Sequence, residues 1–515
     1  MSLHLYHLLT VRIFIFAIFS GILCSCSTDN QPSGTFDIFI ADAKIFDGTG
    51  DPAYTADLLI RGDSIAFIGN VDEGKISVQR KIDARGKVLS PGFIDAHAHG
   101  DPLATPGFEN FLNMGVTTIC LGQDGFSYES ANLLPWIQQI DSLGVGVNVL
   151  TFIGHSTLRS LSGTNYAEEP TSDQLQRMVD LLSKGFGQGA FGMSTGLEYT
   201  PGYYAQAPEM AELAKAVGAH HGIIMSHMRN EDDNQIEKSI HELLMQGQYA
   251  PVHISHFKVV FGNGAERARH LLSILDSARQ AGTQVTADVY PYMASYTSIG
   301  IVFPEWAKAP NDYRQVVASR RKELKQYLHD KVLKRNGPEA TLLGNEKWKG
   351  MNLKQIADSL QLSFEDVLID IIGPEGASGA YFVMDEALQS ALIQDSLVCI
   401  SSDGSPTMHH PRGYGSFAKV IGQYVNETNS LTLAEAIRKM TSLPASIIGI
   451  KNRGFIKVGK KADLLIFDPA LVKDVANYED PHQMAEGMDY IIINGALSKA
   501  PGKINVNLNG SFLSK

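Results

Sequence analysis

Eight short apolar runs constrain this chain more than any other feature. They are Gly92–Asp95, Thr117–Leu121, Val147–Phe152, Ala190–Ser194, Ile223–Ser226, Val252–Ser255, Val285–Ala287 and Val398–Ser402. Most are followed by a polar or glycine-rich turn and then by a helical pattern, such as Asp173–Lys184 or Pro208–Val217. Short apolar strands that alternate with helices are covered on both faces and predict a parallel sheet. Eight of them within 515 residues predict a closed (β/α)8 barrel of the α/β class, not an open doubly wound sheet. The interval before the eighth run is the longest. It carries helical stretches at Asp312–Leu333, Asn352–Leu360 and Ser363–Ile372, which predict an insertion over about 300–395 forming a lid or side wall over the barrel mouth.

The flanks read differently. Short β segments at Asp37–Ala41, Asp57–Arg61, Ser64–Ile68 and Lys87–Ser90 are separated by turns such as Asp47-Gly48-Thr49-Gly50 and Arg61-Gly62-Asp63. Similar β character returns at Ala462–Phe467 and Tyr490–Asn494. Residues 36–90 and 449–515 are therefore expected to complete one small β-sandwich domain, with the barrel, 91–448, inserted between them.

An apolar run from Ile13 to Leu23 follows Arg12 and is too short to span a bilayer, which takes about 20 residues. It has the dimensions of a signal-peptide core. It ends in Leu23-Cys24-Ser25-Cys26, which resembles the lipobox of bacterial lipoproteins, with Cys26 as the acylated residue. Residues 1–26 then read as a lipoprotein signal and 27–35 as a tether. The protein is expected in the bacterial cell envelope, periplasmic or on the outer membrane, touching membrane only through an N-terminal lipid. An ordinary secretory signal with two incidental cysteines is the alternative. Cys120 and Cys399 lie in apolar runs and are expected as buried thiols. With 43 Lys+Arg against 55 Asp+Glu, a net charge of −12 and no basic run, a nucleic-acid partner is excluded.

Functional residues of such barrels sit where strands end. The first run ends in Asp95-Ala96-His97-Ala98-His99, and strand alternation puts His97 and His99 on one side, half of a metal site. The fifth ends in Ser226-His227, the sixth in Ser255-His256 and the eighth in Ser402-Asp403, so two more imidazoles and a carboxylate converge on the same mouth. His155, after the third run, is also expected there, with no role assigned.

This order resembles the amidohydrolase superfamily: His-x-His after strand one, single histidines after strands five and six, and Asp after strand eight. The likeness spans nearly the whole chain after the leader, from Leu89-Ser90-Pro91-Gly92-Phe93-Ile94-Asp95-Ala96-His97 to Lys457-Val458-Gly459-Lys460-Lys461-Ala462-Asp463-Leu464. Within it, Gly115-Val116-Thr117-Thr118, Ser194-Thr195-Gly196-Leu197-Glu198-Tyr199, Ser255-His256-Phe257-Lys258, Asp288-Val289-Tyr290-Pro291-Tyr292 and His410-Pro411-Arg412-Gly413-Tyr414-Gly415 are similar to the N-acyl-D-amino-acid deacylase (D-aminoacylase) branch. Many members of that branch place a metal-ligating cysteine in a Gly-Asn-Cys-Gly turn after strand two. Here the turn is Gly122-Gln123-Asp124-Gly125, so Asp124 holds the cysteine's place, and a carboxylate there makes a harder site. Strand four offers no lysine for carboxylation; Glu198, just beyond it, is a second candidate bridging carboxylate.

The resemblance implies one or two zinc ions, the main one on His227, His256 and the bridging carboxylate, the second completed by His97 and His99. Zinc supplies both an activated water and a Lewis acid, and Asp403 would serve as general base and then acid. It further implies a small-molecule substrate whose α-carboxylate is bound by Lys258, Tyr290 and Arg412. Strand periodicity also puts Lys258 on the His256 face, and a guanidinium such as that of Arg412 grips carboxylates bidentately. The expected reaction is hydrolysis of N-acyl-D-amino acids or of dipeptides with a C-terminal D-residue. The alternatives are a cyclic-amide hydrolase of the hydantoinase or dihydroorotase kind and a catalytically inactive binding lipoprotein.

Overall fold

The structure, a computed structural model, describes residues 31–501 and 507–515; Cys26 and the segment read as a leader lie outside them. Eight parallel strands form the barrel: β1 (Phe93–Asp95), β2 (Val116–Leu121), β3 (Asn148–Thr151, continued by Ile153–Gly154), β4 (Gly192–Gly196), β5 (Ile223–His227), β6 (Val252–Ile254), β7 (Val285–Val289) and β8 (Val398–Ile400). The ring closes between β1 and β8 just past their ends. Ala98 bridges Gly404 in parallel, and the Asp403 N–H donates to His97 O at 2.9 Å. The strands are short and apolar because they are buried on both faces. Alternate residues separate cleanly into two cores. Ile94, Cys120, Leu150, Met225 and Cys399 share the inner one, while Phe93, Ile119, Val149, Ile224 and Ile400 pack outward on the helices. Cys120 and Cys399 are buried free thiols. Gly92 opens β1 because a Cβ there would lie 2.1 Å from Thr117 Oγ1.

The terminal segments form one mixed sheet in the order Ala496–Lys499, Met488–Ile493, Leu464–Phe467, Val88–Pro91, Gly34–Ile45, Tyr54–Arg61, Ser64–Gly69, with Ile76–Asp83 also paired to Gly34–Ile45. The Ile65 N–H donates to Lys460 O, so one edge curls toward the opposite segment around Ile40, Ile45, Leu58, Leu464 and Ile492.

The long interval between β7 and β8 holds the helix Tyr313–Lys334, capped by Asp312, and the helix Leu353–Leu360, opened by a capping box on Asn352 and Gln355. It also holds a three-stranded antiparallel sheet, Ser295–Ser298, Ser378–Tyr381 and Thr341–Leu343, which periodicity did not reveal because its strands are only three or four residues long. These elements surround their own core of Val302, Phe303, Leu324, Leu328, Leu353 and Tyr381. The helix Glu386–Gln394, included in the insertion on sequence grounds, instead buries Leu388, Leu392 and Ile393 in the barrel core. Among the described residues no helix is long and apolar enough to cross a membrane.

Candidate metal centre and active site

The strand ends turn sharply to aim their side chains. Asp124, His256 and Asp403 have φ of 53, 37 and 48°. A non-glycine residue in this left-handed region costs about 1–3 kcal/mol, and such strain gathers at functional sites. All three side chains line the barrel mouth. The Asp124 turn fits only because β4 ends in glycine: a Cβ on Gly196 would lie 2.1 Å from Asp124 O. Asp95 fixes the exit from β1. Its Oδ1 accepts the His97 N–H at 3.2 Å and the Ser402 N–H at 3.0 Å, and burial pushes its carboxyl up to about 7.

Asp124 stands at the centre of four imidazoles. Its Oδ1 is 3.2 Å from His256 Nε2, 3.3 Å from His97 Nε2 and 3.9 Å from His227 Nδ1, while Oδ2 is 3.5 Å from His99 Nε2. His227 Nδ1 and His256 Nε2 are 2.9 Å apart, and His99 Nε2 is 3.1 Å from Asp403 Oδ1. Among the described residues three ligand groups have their donor atoms within 4.8 Å of one another: Asp124–His227–His256, His97–His99–Asp124–Asp403 and, on the outer side of His227, Glu198–His227–Glu231. Asp124 is common to the first two. Glu198, the other candidate bridge, lies instead behind the site, 3.0 Å from His227 Nε2.

The residues fit a metal ion. His97 is fully buried, and its ring makes no well-aligned hydrogen bond among the described residues, Nε2 meeting Asp124 Oδ1 only as a 3.3 Å ion-pair contact, a costly state unless a ligand or ion completes it. The donors are imidazole nitrogens and carboxylate oxygens, the set zinc accepts. Outer carboxylates orient the inner rings, as in carboxylate–histidine–metal arrangements. Glu198 takes the outer nitrogen of His227, and Glu231 lies 3.2 Å from the outer nitrogen of His256. Asp288 accepts the His256 backbone N–H at 2.9 Å and contacts His253 Nε2 at 2.8 Å.

Electrostatics favour ionised carboxylates here. Burial raises the Asp124 carboxyl, but the charges of His97 and His256 outweigh it and hold it well below its ordinary range. For Asp403 burial is likewise overridden, first by the Arg412 guanidinium and then by His256. The carboxylates in turn outweigh burial at His99 and His256, lifting them to about 9 and about 10. A site of this kind releases protons when it takes up a cation.

The residues implied to bind the substrate carboxylate gather beside this centre, in ways the sequence did not specify. Lys258 is buried with Nζ 2.8 Å from Glu231 and 2.9 Å from His256 Nδ1. It reaches that side through the turn at His256, since β6 ends at Ile254; strand alternation is not the cause. Arg412 Nη1 is 2.8 Å from Asp403 Oδ2, and its guanidinium lies 4.8 Å from the Tyr290 ring. Tyr290 is fully buried beneath it, its hydroxyl 3.7 Å from Met384 Sδ. His155 does not reach the mouth. A helix, His155–Ser162, begins at that residue and turns the ring to Glu209, 2.7 Å away in the helix Ala207–Ala219. Above the centre opens a cavity of about 1010 Å³, bordered by His99, Glu198, Tyr199, Arg229 and Tyr296.

A family model described as the amidohydrolase family matches residues 315–498. The chain is 30% identical over 501 residues to an N-acyl-D-glutamate deacylase of Alcaligenes xylosoxydans xylosoxydans, covering 91% of this chain and 96% of that one. The solved structure of the N-acyl-D-glutamate deacylase of Bordetella bronchiseptica, complexed with zinc and a phosphonate inhibitor, superposes with a TM-score of 0.80 at 30% identity over 93% of this chain and 100% of that one. A D-aminoacylase structure concerned with its binuclear metal centre gives 0.79, also at 30% identity, with the same coverage.

Proposed function

This chain belongs to the amidohydrolase family and is a metal-dependent hydrolase, and from that premise we propose that it cleaves N-acyl-D-amino acids, or dipeptides whose C-terminal residue is D, with zinc in the centre described above. The observation that carries this reading is the Asp403–Arg412 pair, which sets a proton acceptor and a carboxylate-binding cation side by side at the edge of a four-histidine cluster. His227, His256 and Asp124 would hold one ion, and His97, His99 and Asp403 a second through the same Asp124. When bound, zinc supplies a water acidic enough to ionise near neutrality and a Lewis acid for the amide carbonyl.

The chain's own groups do the rest. Asp403 takes the proton of the attacking water and returns it to the leaving nitrogen. Lys258 and Arg412 hold the α-carboxylate, with Tyr290 supporting the Arg412 guanidinium from below. A substrate carboxylate competes with Asp403 for Arg412, so recognition loosens the contact that depresses the basicity of Asp403. The cavity above the centre accepts the acyl portion.

Arg412→Met tests the substrate class. A charge-assisted contact in a closed site contributes on the order of 1.5–3 kcal/mol. The preference for an N-acyl-D-amino acid over its neutral α-amide should therefore fall by about 10–100-fold in kcat/KM. Using the ratio removes whatever the variant does to Asp403 itself. An unchanged ratio, or a native enzyme that prefers the neutral amide, contradicts carboxylate recognition.

The envelope location is part of the same proposal. Cys26, at the end of the leader, would carry the lipid that tethers the enzyme. Cys26→Ser should turn a membrane-associated protein that incorporates labelled fatty acid into an unlabelled one. A native protein that is unlabelled and freely soluble after leader removal contradicts the anchor.

A further inference from the structure

Among the described residues seven large aromatic side chains are more than a third exposed, and five of them line the one cavity above the metal centre. These are Phe126, Tyr128, Tyr166, Tyr203 and Tyr327, at 37 to 48% exposure. Apolar groups scattered singly over a surface need no explanation, but their gathering in one concavity marks a binding site. The rings arrive from separate segments. Phe126 and Tyr128 lie between β2 and the helix Leu134–Leu143, Tyr166 follows the helix His155–Ser162, Tyr203 sits in the short turn Gly202–Tyr204 after β4, and Tyr327 is on the helix Tyr313–Lys334 of the insertion. Tyr128 is held in place by stacking on the buried Trp136, with ring centroids 5.1 Å apart and planes at 11°.

The cavity, about 1010 Å³, stands at the top of the range that holds whole drug-sized molecules, about 300–1,000 Å³. An acetyl group would fill little of it. The order of the barrel strands says which half of the substrate faces the rings. Lys258, Tyr290 and Arg412, assigned to the α-carboxylate, come after β6, β7 and β8. Four of the five aromatics come after β2, β3 and β4, on the other side of the closed ring, and the metal ligands reach in between. An amide whose carboxylate is held on the first side, with its carbonyl at the metal centre, sends its acyl group and not the side chain of its D-residue toward the rings. We propose that these aromatics form the acyl subsite and that the enzyme's preferred acyl group is large and apolar, a medium or long aliphatic chain in place of acetyl. This rests on the deacylase reading above. Aromatic side chains suit the task, since each offers a broad apolar face and has little conformational freedom to lose when a flexible chain lies against it.

The test assays the zinc-loaded full chain on acyl series from acetyl to octanoyl, built on D-alanine, D-methionine and D-glutamate, each below its micelle-forming concentration. Partial burial of each added methylene should raise kcat/KM about twofold, so octanoyl should exceed acetyl by about 30–100-fold. A control moves the chain to the other half of the molecule: N-acetyl-D-2-aminononanoate is the isomer of N-octanoyl-D-alanine and should be poorer by at least about tenfold. Phe126→Ala and Tyr203→Ala should each lower kcat/KM on the octanoyl substrates by about 3–10-fold and on the acetyl substrates by less than about twofold, which flattens the dependence on chain length. Both side chains are partly exposed and lie outside the barrel core, so the variants should fold; Phe126→Trp and Tyr203→Phe should keep the dependence. Octanoyl substrates no better than acetyl ones, or variants that lower both equally, overturn the subsite. A preference for the aminononanoate isomer overturns it too, by putting the side chain in the cleft. In each of these cases turnover of the D substrates leaves the deacylase reading intact. Absence of turnover on all three D-residues at every chain length overturns that reading and this one with it.

Discussion

Asp403→Asn should keep its metal and lose about 10²–10⁴-fold in kcat, the range that general acid–base catalysis contributes. Asparagine matches aspartate in size, and the turn that aims the residue is fixed by backbone: φ is 48° and the N–H is bonded to His97 O. His227, His256 and Asp124 remain to bind an ion. What disappears is the carboxylate between His99 and Arg412 that exchanges a proton with water and with the leaving nitrogen. Metal content by elemental analysis and kcat on one substrate suffice to check it. A variant that turns over near the wild-type rate removes Asp403 from the chemistry; one that has lost all its metal makes Asp403 a ligand first and a base second.

Asp124→Ala should lose metal as well as activity. Asp124 is the carboxylate that touches all four imidazoles, at 3.2 to 3.9 Å, and belongs to two of the three ligand groups. Removing an outer partner of a ligating histidine typically costs 10–100-fold in metal affinity or activity, so losing the shared carboxylate should cost more, at least about 100-fold. Glu198→Gln is the matched control. It should fall within the smaller range, because Glu198 meets His227 at its outer nitrogen and not at the one that faces Asp124. Asp124→Cys should retain an ion, since a thiolate is a competent zinc ligand at that turn. If Glu198→Gln empties the site and Asp124→Ala does not, the two carboxylates have exchanged roles.

How much of this was legible in the sequence depended on whether a residue's place follows from the barrel. His97, His227, His256 and Asp403 follow strand ends, and every strand of a parallel barrel ends at one mouth. Their convergence was readable before any contact was known. Asp124 was readable only as a departure from a familiar turn; its position among four imidazoles needed the left-handed backbone that no local pattern announces. Lys258 was placed on the correct side by the wrong argument, for the chain at His256 is a turn. His155 was misplaced because a helix begins at that residue and carries the ring to Glu209. Glu231, Ser295 and Arg335 were missed altogether. Glu231 is an ordinary acid in the loop four residues past His227, whereas Ser295 and Arg335, which border the small chamber beside His256 and Asp403, lie in a short strand and at a helix end that no spacing ties to the mouth.

The most direct test pairs stereochemistry with metal. Protein stripped by a chelator and reconstituted with zinc is assayed against matched D and L enantiomers of a set of N-acetyl amino acids with acidic, polar and apolar side chains. The account predicts no turnover without metal, activity restored by one or two zinc equivalents, and hydrolysis of D substrates at rates orders of magnitude above their L partners. Activity that survives metal removal, or a preference for the L enantiomers, would contradict it.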